Sequence, residues 1–195
     1  MRFIGFYDYT VVLTYISLFS SVLGMILAIQ GRFTLAVICM FISGVCDAFD
    51  GVVARSKKNR TEDEKAFGMH IDSLCDVICF GVFPVIFCYC MGVDGIVGVI
   101  LIFIYCLCAL IRLAYFNVLE GNRQKKEEGC NKEYRGLPVT SIAISLPLIY
   151  ILKFLISKNT FKVVLHIILL LEAFLFVLDF QVKKIDWKKI LVGER

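Results

Sequence analysis

Charge is scarce in this chain. Only 19% of its 195 residues are Asp, Glu, Lys or Arg, whereas 59% are hydrophobic and the mean hydropathy is +0.81. That scarcity excludes a soluble enzyme core, a coiled coil and a disordered chain, all of which carry far more polar surface. The nine cysteines include no Cys-x-x-Cys pair of the kind a zinc site uses. Most of them lie inside long apolar stretches, which excludes a small disulfide scaffold and reads as ordinary packing by a small apolar residue. Internal repeats and low-complexity tracts are also missing. A cleavable leader is not expected, because Arg2 alone precedes the first apolar stretch and no small-residue cleavage site follows it.

What remains is a chain that reads as one integral membrane domain over residues 1–195. A membrane span needs about 20 mainly apolar residues. Six stretches qualify: Thr10–Ile29, Phe33–Ala54, Met69–Met91, Ile96–Phe116, Leu137–Ile156 and Phe161–Phe180. The expected fold is therefore all-α, a bundle of six transmembrane helices with Pro147 kinking the fifth. Polar segments separate the spans at Gln30–Arg32, Arg55–Lys65, Gly92–Gly95 and Glu120–Arg135. In this arrangement 17 of the 21 basic residues fall on one side, leaving Arg32, Lys153, Lys158 and Lys162 on the other. The positive-inside rule then puts both termini and both long loops in the cytoplasm.

Four carboxylates interrupt this pattern. Asp47 and Asp50 are three residues apart near the end of the second span, and Asp72 and Asp76 are four apart near the start of the third. Either spacing puts both acids on one helix face. Consecutive spans run antiparallel, so all four meet at one depth near the cytoplasmic surface. Each aspartate at a membrane helix centre costs roughly 2.5 to 3.5 kcal/mol, so four cost on the order of 10 to 14 kcal/mol before compensation. Acids that merely snorkel to water would not need a shared helical face. One or two divalent cations are the economical compensation, and hard oxygen donors favour Mg²⁺ or Mn²⁺. Gly51, Ala54 and Gly68 keep the neighbouring backbone open to a ligand, and Arg55 is placed to hold a phosphate. His70 points away from the acids, and His166, Thr140 and Ser141 read as hydrogen-bonding groups within the bundle.

These residues resemble the signature of the CDP-alcohol phosphatidyltransferases, Asp-x2-Asp-Gly-x2-Ala-Arg, a spacer, then Gly-x3-Asp-x3-Asp. All eight positions match, as Asp47, Asp50, Gly51, Ala54, Arg55, Gly68, Asp72 and Asp76. The spacer, Ser56–Phe67, is 12 residues long where the family usually has about eight, which reads as a longer cytoplasmic loop. From about Phe6 to Pro147 the chain also looks like the phosphatidylserine synthase branch of that family. The further matches are Tyr9-Thr10-Val11, the run from Asp72 to Gly81, Arg112-Leu113-Ala114-Tyr115-Phe116-Asn117 and Gly136-Leu137-Pro138-Val139-Thr140-Ser141.

The resemblance implies a homodimer in the cell (plasma) membrane, with a polar cavity facing the cytoplasm. It implies that CDP-diacylglycerol and L-serine react to give phosphatidylserine and CMP. Asp47, Asp50 and Asp72 are then metal ligands, Asp76 a general base that also touches the metal, and Gly51, Ala54, Arg55 and Gly68 the nucleotide and phosphate site. Arg112, Asn117 and Arg135 are candidates for the acceptor, since a guanidinium suits a carboxylate, although anchoring of helix ends explains the two arginines equally well. Nothing implies nucleic acid. A sibling transferase using glycerol 3-phosphate or an inositol phosphate would want a further basic cluster. A cation transporter or channel would want polar residues through the outer halves of the spans, and those halves are apolar.

The orientation is open to direct test. Cysteines introduced within Lys57–Glu64 and Gln124–Lys132, on a background without native thiols, are expected to react only with reagent supplied from the cytoplasmic side. Labelling of either loop from outside would reverse the topology.

Overall fold

A computed structural model describes residues 5–7, 9–57, 61–125 and 133–183, with side chains left undescribed at 54–56, 122–125, 133–135 and 181–183. A short 3₁₀ turn at Tyr9–Val11 leads into α1 (Val12–Ile29), which returns through Gly31 as α2 (Phe33–Ser56). Gly31 has φ +75°, a left-handed conformation that lets the chain reverse within three residues. The third helical run extends unbroken from Glu62 to Cys90 as α3 (Glu62–Asp76), a π-helical turn (Val77–Val82) and α4 (Phe83–Cys90). Then come α5 (Gly95–Lys125), strand β1 (Glu133–Arg135), a 3₁₀ turn (Val139–Ser141), α6 (Ile142–Leu152), α7 (Lys158–Val177) and strand β2 (Gln181–Lys183).

The protein is thus an all-α membrane bundle. Among the described residues, five helical runs are long and apolar enough to cross a bilayer, and Val139–Leu152 is a shorter apolar helix. The short helix is tied to α7 at both ends. Before it, β1 pairs antiparallel with β2, and the Gly136 N–H donates to the Phe180 carbonyl at 2.8 Å. Beyond it, only residues 153–157 separate α6 from α7. The chain therefore leaves and returns at one level, and the segment matches the height of α7, about 30 Å for 20 residues.

Several helix ends differ from the hydropathy reading. α3 begins at Glu62, seven residues ahead of the expected Met69. The cause is a capping box: Thr61 Oγ1 accepts from the Glu64 N–H at 3.2 Å, and Glu64 Oε2 accepts from the Thr61 N–H at 2.9 Å. Helix α5 runs to Lys125, nine residues past the expected Phe116 and into the expected polar loop. The two three-residue strands were not expected at all.

Packing rests on small residues. The buried face of α1 is Thr14, Ser17, Ser20, Ser21, Gly24 and Ala28, and it meets Ala36, Cys39, Met40 and Ser43 of α2. Lipid offers no hydrophobic drive for helix association, so close approach and interhelical hydrogen bonds supply it. Ser17 and Ser21 bond Ser43 Oγ at 2.7 and 2.8 Å, and Ser20 donates to the Cys39 carbonyl at 2.8 Å. A Cβ on Gly24 would lie 2.7 Å from Phe83 Cε1, so this glycine seats the Phe83 ring; one on Gly44 would lie 2.6 Å from the Ala143 Cβ, so α2 and α6 touch there. Cys39, Cys75, Cys79 and Cys88 are buried and unpaired, in keeping with a packing role.

The π turn has an identifiable partner. Pro84 has no N–H to offer the Phe80 carbonyl four residues earlier. The fully buried Tyr105 donates its hydroxyl to that carbonyl at 2.9 Å. The widened turn and the tyrosine together keep a buried backbone acceptor satisfied. Tyr105→Phe is expected to orphan it and destabilise the fold by about 1 to 3 kcal/mol, read as a lowered melting temperature in detergent. An unchanged melting temperature would show that the carbonyl finds another donor.

Candidate active site

The acids that stand apart in sequence meet in space. Asp47 and Asp50 lie in the second half of α2, and Asp72 and Asp76 on the last two turns of α3. Asp47 stands at side-chain hydrogen-bonding range of Asp76, and Asp50 at that range of Asp72. One carboxylate oxygen from each of Asp47, Asp50 and Asp72 falls within 4.8 Å of the others, a cluster suited to holding a metal ion. Oxygens around Mg²⁺ at about 2.1 Å are at most about 4.2 Å apart, so modest side-chain adjustment would close the shell. Asp72 Oδ1 is buried and has no hydrogen-bond partner among the described residues. A buried acceptor without a donor costs about 1 to 3 kcal/mol, and more when it is charged. An all-oxygen donor set with one orphaned oxygen therefore fits a hard divalent cation.

The walls around the cluster include a residue that sequence patterning passed over. Thr14, buried on α1, donates to Asp50 Oδ2 at 3.4 Å. It shares a face with Ser17, Ser21 and Gly24, so the polar stripe of the first span was its only sequence signal. The serine ladder below continues the contact, and Ser17 also reaches Cys79 Sγ at 3.6 Å, one turn beyond Asp76. Helix α1 thus holds both acid-bearing helices through short polar side chains.

The remaining candidates divide. Gly51 and Gly68 are half-buried, directly after Asp50 and one turn before Asp72. Ala54 and Arg55 belong to the last turn of α2, and Arg135 to β1, but the side chains of all three lie outside those described. Asn117 accepts from Ser73 Oγ at 2.7 Å, beside Asp72, and helps to line a groove of about 250 Å³ between α3 and α5. Arg112 is buried elsewhere. Its Nε donates to the Leu137 carbonyl at 3.1 Å and its guanidinium lies 5.8 Å from the Phe116 ring centroid. His70 is exposed, and His166 Nδ1 pairs at 2.8 Å with the Lys162 carbonyl of its own helix, so neither approaches the acids. Ser141 does bond within the bundle, donating at 2.8 Å to Glu172, a buried acid on α7 that also accepts from Ser145 at 2.7 Å.

A family model for CDP-alcohol phosphatidyltransferases matches residues 10–178, which contain all four aspartates. The chain belongs to that family. Among curated CDP-alcohol phosphatidyltransferases, it is 36% identical over 140 residues to the archaetidylserine synthase of Methanothermobacter thermautotrophicus, covering 69% of this chain and 54% of that one. It is 36% identical over 110 residues to the CDP-diacylglycerol–serine O-phosphatidyltransferase of Saccharomyces cerevisiae, covering 55% and 38%. The Helicobacter pylori (strain 26695) enzyme of the same name is 29% identical over 179 residues, covering 88% and 71%. The chain thus spans about half the length of the first and less than two fifths of the second. No solved structure matches it.

The cluster makes a prediction that needs no substrate. Asp50→Asn and Asp72→Asn are each expected to weaken Mn²⁺ binding by roughly tenfold or more, measured by titration calorimetry on the purified protein. Unchanged affinity in both variants would remove them from the donor set.

Proposed function

We propose that this protein transfers the phosphatidyl group of CDP-diacylglycerol to the hydroxyl of L-serine and releases CMP. The observation that carries the reading is the meeting of the signature aspartates between α2 and α3, with Asp47, Asp50 and Asp72 spaced to share one cation and Asp76 beside Asp47. The relatives' names support the acceptor: they agree on serine and differ in the lipid, archaetidyl in one and diacylglycerol in the others.

In this reading Asp47, Asp50 and Asp72 hold Mg²⁺ or Mn²⁺, as one or two ions. Such ions neutralise the diphosphate and the charge that gathers on departing CMP. Gly51 and Gly68 leave room for the nucleotide, with Ala54 and Arg55 completing its phosphate site. Asp76 takes the proton from the serine hydroxyl as that oxygen attacks the phosphatidyl phosphorus and the bond to CMP breaks. Thr14 keeps Asp50 in the rotamer that serves this arrangement. Asn117, held by Ser73, and the arginines Arg112 and Arg135 serve the acceptor side. We place the site at the cytoplasmic face of the cell membrane, with the chain acting as a homodimer of six-span protomers. Cytosolic serine and CMP then exchange freely with the bulk.

The test is a comparison of acceptors. Membranes containing the protein receive CDP-diacylglycerol with serine, glycerol 3-phosphate or inositol phosphate, and CMP release is followed. Serine is expected to give the fastest release, chelation to abolish it, and Mg²⁺ or Mn²⁺ to restore it. Faster release with glycerol 3-phosphate would replace the acceptor assignment, and full activity after thorough chelation would end the metal reading.

A further inference from the structure

The end of the bundle away from the acids carries a cluster of cations that the transfer reaction does not use. Arg32, Lys153, Lys158 and Lys162 stand there, and among the described residues Asp94 is the one acid that shares that end. Phe33, where α2 starts, lies about 21 Å along the helix from Asp47. These cations therefore do not belong to the acid cluster.

Two of the four converge on one spot. Lys153, at the C-terminal end of α6, holds its ammonium 5.2 Å from the Phe33 ring centroid and 5.1 Å from that of Tyr150. Arg32 directly precedes Phe33, so its Cα lies about 3.8 Å from that of Phe33. The floor beneath them is well tied. Phe33 and Tyr150 each meet Phe87 edge to face, at 5.8 and 5.9 Å, and Tyr150 meets Phe154 at 6.0 Å. The hydroxyls of Thr34 and Tyr150 share a hydrogen bond of 3.1 Å. Lys153 is half-buried, yet among the described residues neither it nor Arg32 has a carboxylate within salt-bridge distance. Ring faces attract an ammonium but do not neutralise it, so the pair presents positive charge to whatever lies outside.

The neighbouring surface is of a kind that lipid covers. Leu35 and Ile38 on α2 and Leu148 and Ile151 on α6 are exposed, as are Phe154 and Leu155 just beyond α6. In a membrane bundle such residues face acyl chains, and aromatic rings with lysine and arginine mark the headgroup level. A pair of cations above an apolar surface matches an anionic phospholipid, with its phosphate on the cations and its chains along α2 and α6. A soluble anion would use the cations and leave the apolar surface bare.

We infer that Arg32 and Lys153 bind the phosphate of an anionic phospholipid in the leaflet opposite the acid cluster, with Phe33, Tyr150 and Phe154 as the floor of the site. This site stands whether or not serine is the acceptor. A lipid bound there ties the start of α2 to the end of α6, the two helices that touch at Gly44 and Ala143 one turn from Asp47.

The test follows lipid contact at this spot. Phe154→Trp, on a background with the single native tryptophan replaced (Trp187→Phe), puts a fluorescent reporter beside Tyr150. The full-length protein is reconstituted in phosphatidylcholine vesicles containing phosphatidylglycerol, with one lipid or the other brominated near its ester to quench the reporter. Phosphatidylglycerol is expected to bind roughly 5-fold to 25-fold more tightly than phosphatidylcholine, and Lys153→Gln or Arg32→Gln to lower that preference by about fivefold each. Lys153→Arg, which keeps the charge, is expected to retain it. Equal quenching by the two lipids, or a preference that survives both glutamine variants, would overturn the site. Loss of the preference on adding inorganic phosphate, against chloride at the same ionic strength, would show a soluble-anion site and overturn the lipid assignment.

Discussion

Four carboxylates packed together inside an apolar bundle are the constraint on which the rest of this structure depends. Like charges at contact distance repel, and burial strengthens that repulsion because less water screens it. The two helices that carry them must nevertheless be held together. On one side the hold comes from α1, through Thr14 on Asp50 and a ladder of serines against α2. On another it comes from α6, where Gly44 and Ala143 touch only one helical turn from Asp47. The orphaned oxygen of Asp72 shows where the protein's own donors stop. A divalent cation held there would supply what they do not, and its binding energy would then become part of the folding energy of the bundle.

The same economy governs the polar groups farther from the acids. The Phe80 carbonyl, deprived of its donor by Pro84, is met by Tyr105 from another helix. Glu172, buried in α7, is met by Ser145 of α6 and Ser141 of the turn before it, and the Leu137 carbonyl by Arg112 of α5. Each contact joins different elements, because within lipid a polar atom has to find its partner in the protein. The outcome is that α5, α6 and α7 are locked near the level of the acids. A reaction that needs several groups within fractions of an ångström benefits from such fixed walls.

Much of this was legible from sequence, for physical reasons specific to each part. Lengths of apolar sequence marked the spans, because a bilayer of fixed thickness imposes a minimum length. The helix ends were less legible. Hydropathy tracks lipid exposure, whereas α3 is started by the reciprocal bonds of Thr61 and Glu64, and α5 simply continues into its polar flank. The fifth apolar segment read as a full span, yet its regular helix covers only Ile142–Leu152. Its reach became clear only from the strand pair that ties it to α7.

At the site the division is sharper. Spacing of three and four residues is enough to put each pair of aspartates on one helix face, and the antiparallel course of consecutive spans is enough to bring the pairs to one depth. The sequence by itself therefore determined the acid cluster and its suitability for a hard cation, since both follow from local helical geometry and the cost of charge in lipid. It did not determine which other side chains face that cluster. Thr14 reaches Asp50 from α1, and Ser73 of α3 pairs with Asn117 of α5 alongside, contacts that depend on how those helices are rotated and crossed. Arg112 shows the same limit: as a residue type it suited a carboxylate, but only the tertiary structure set it against Leu137. Periodicity fixes the face within a helix, whereas packing alone decides what that face meets.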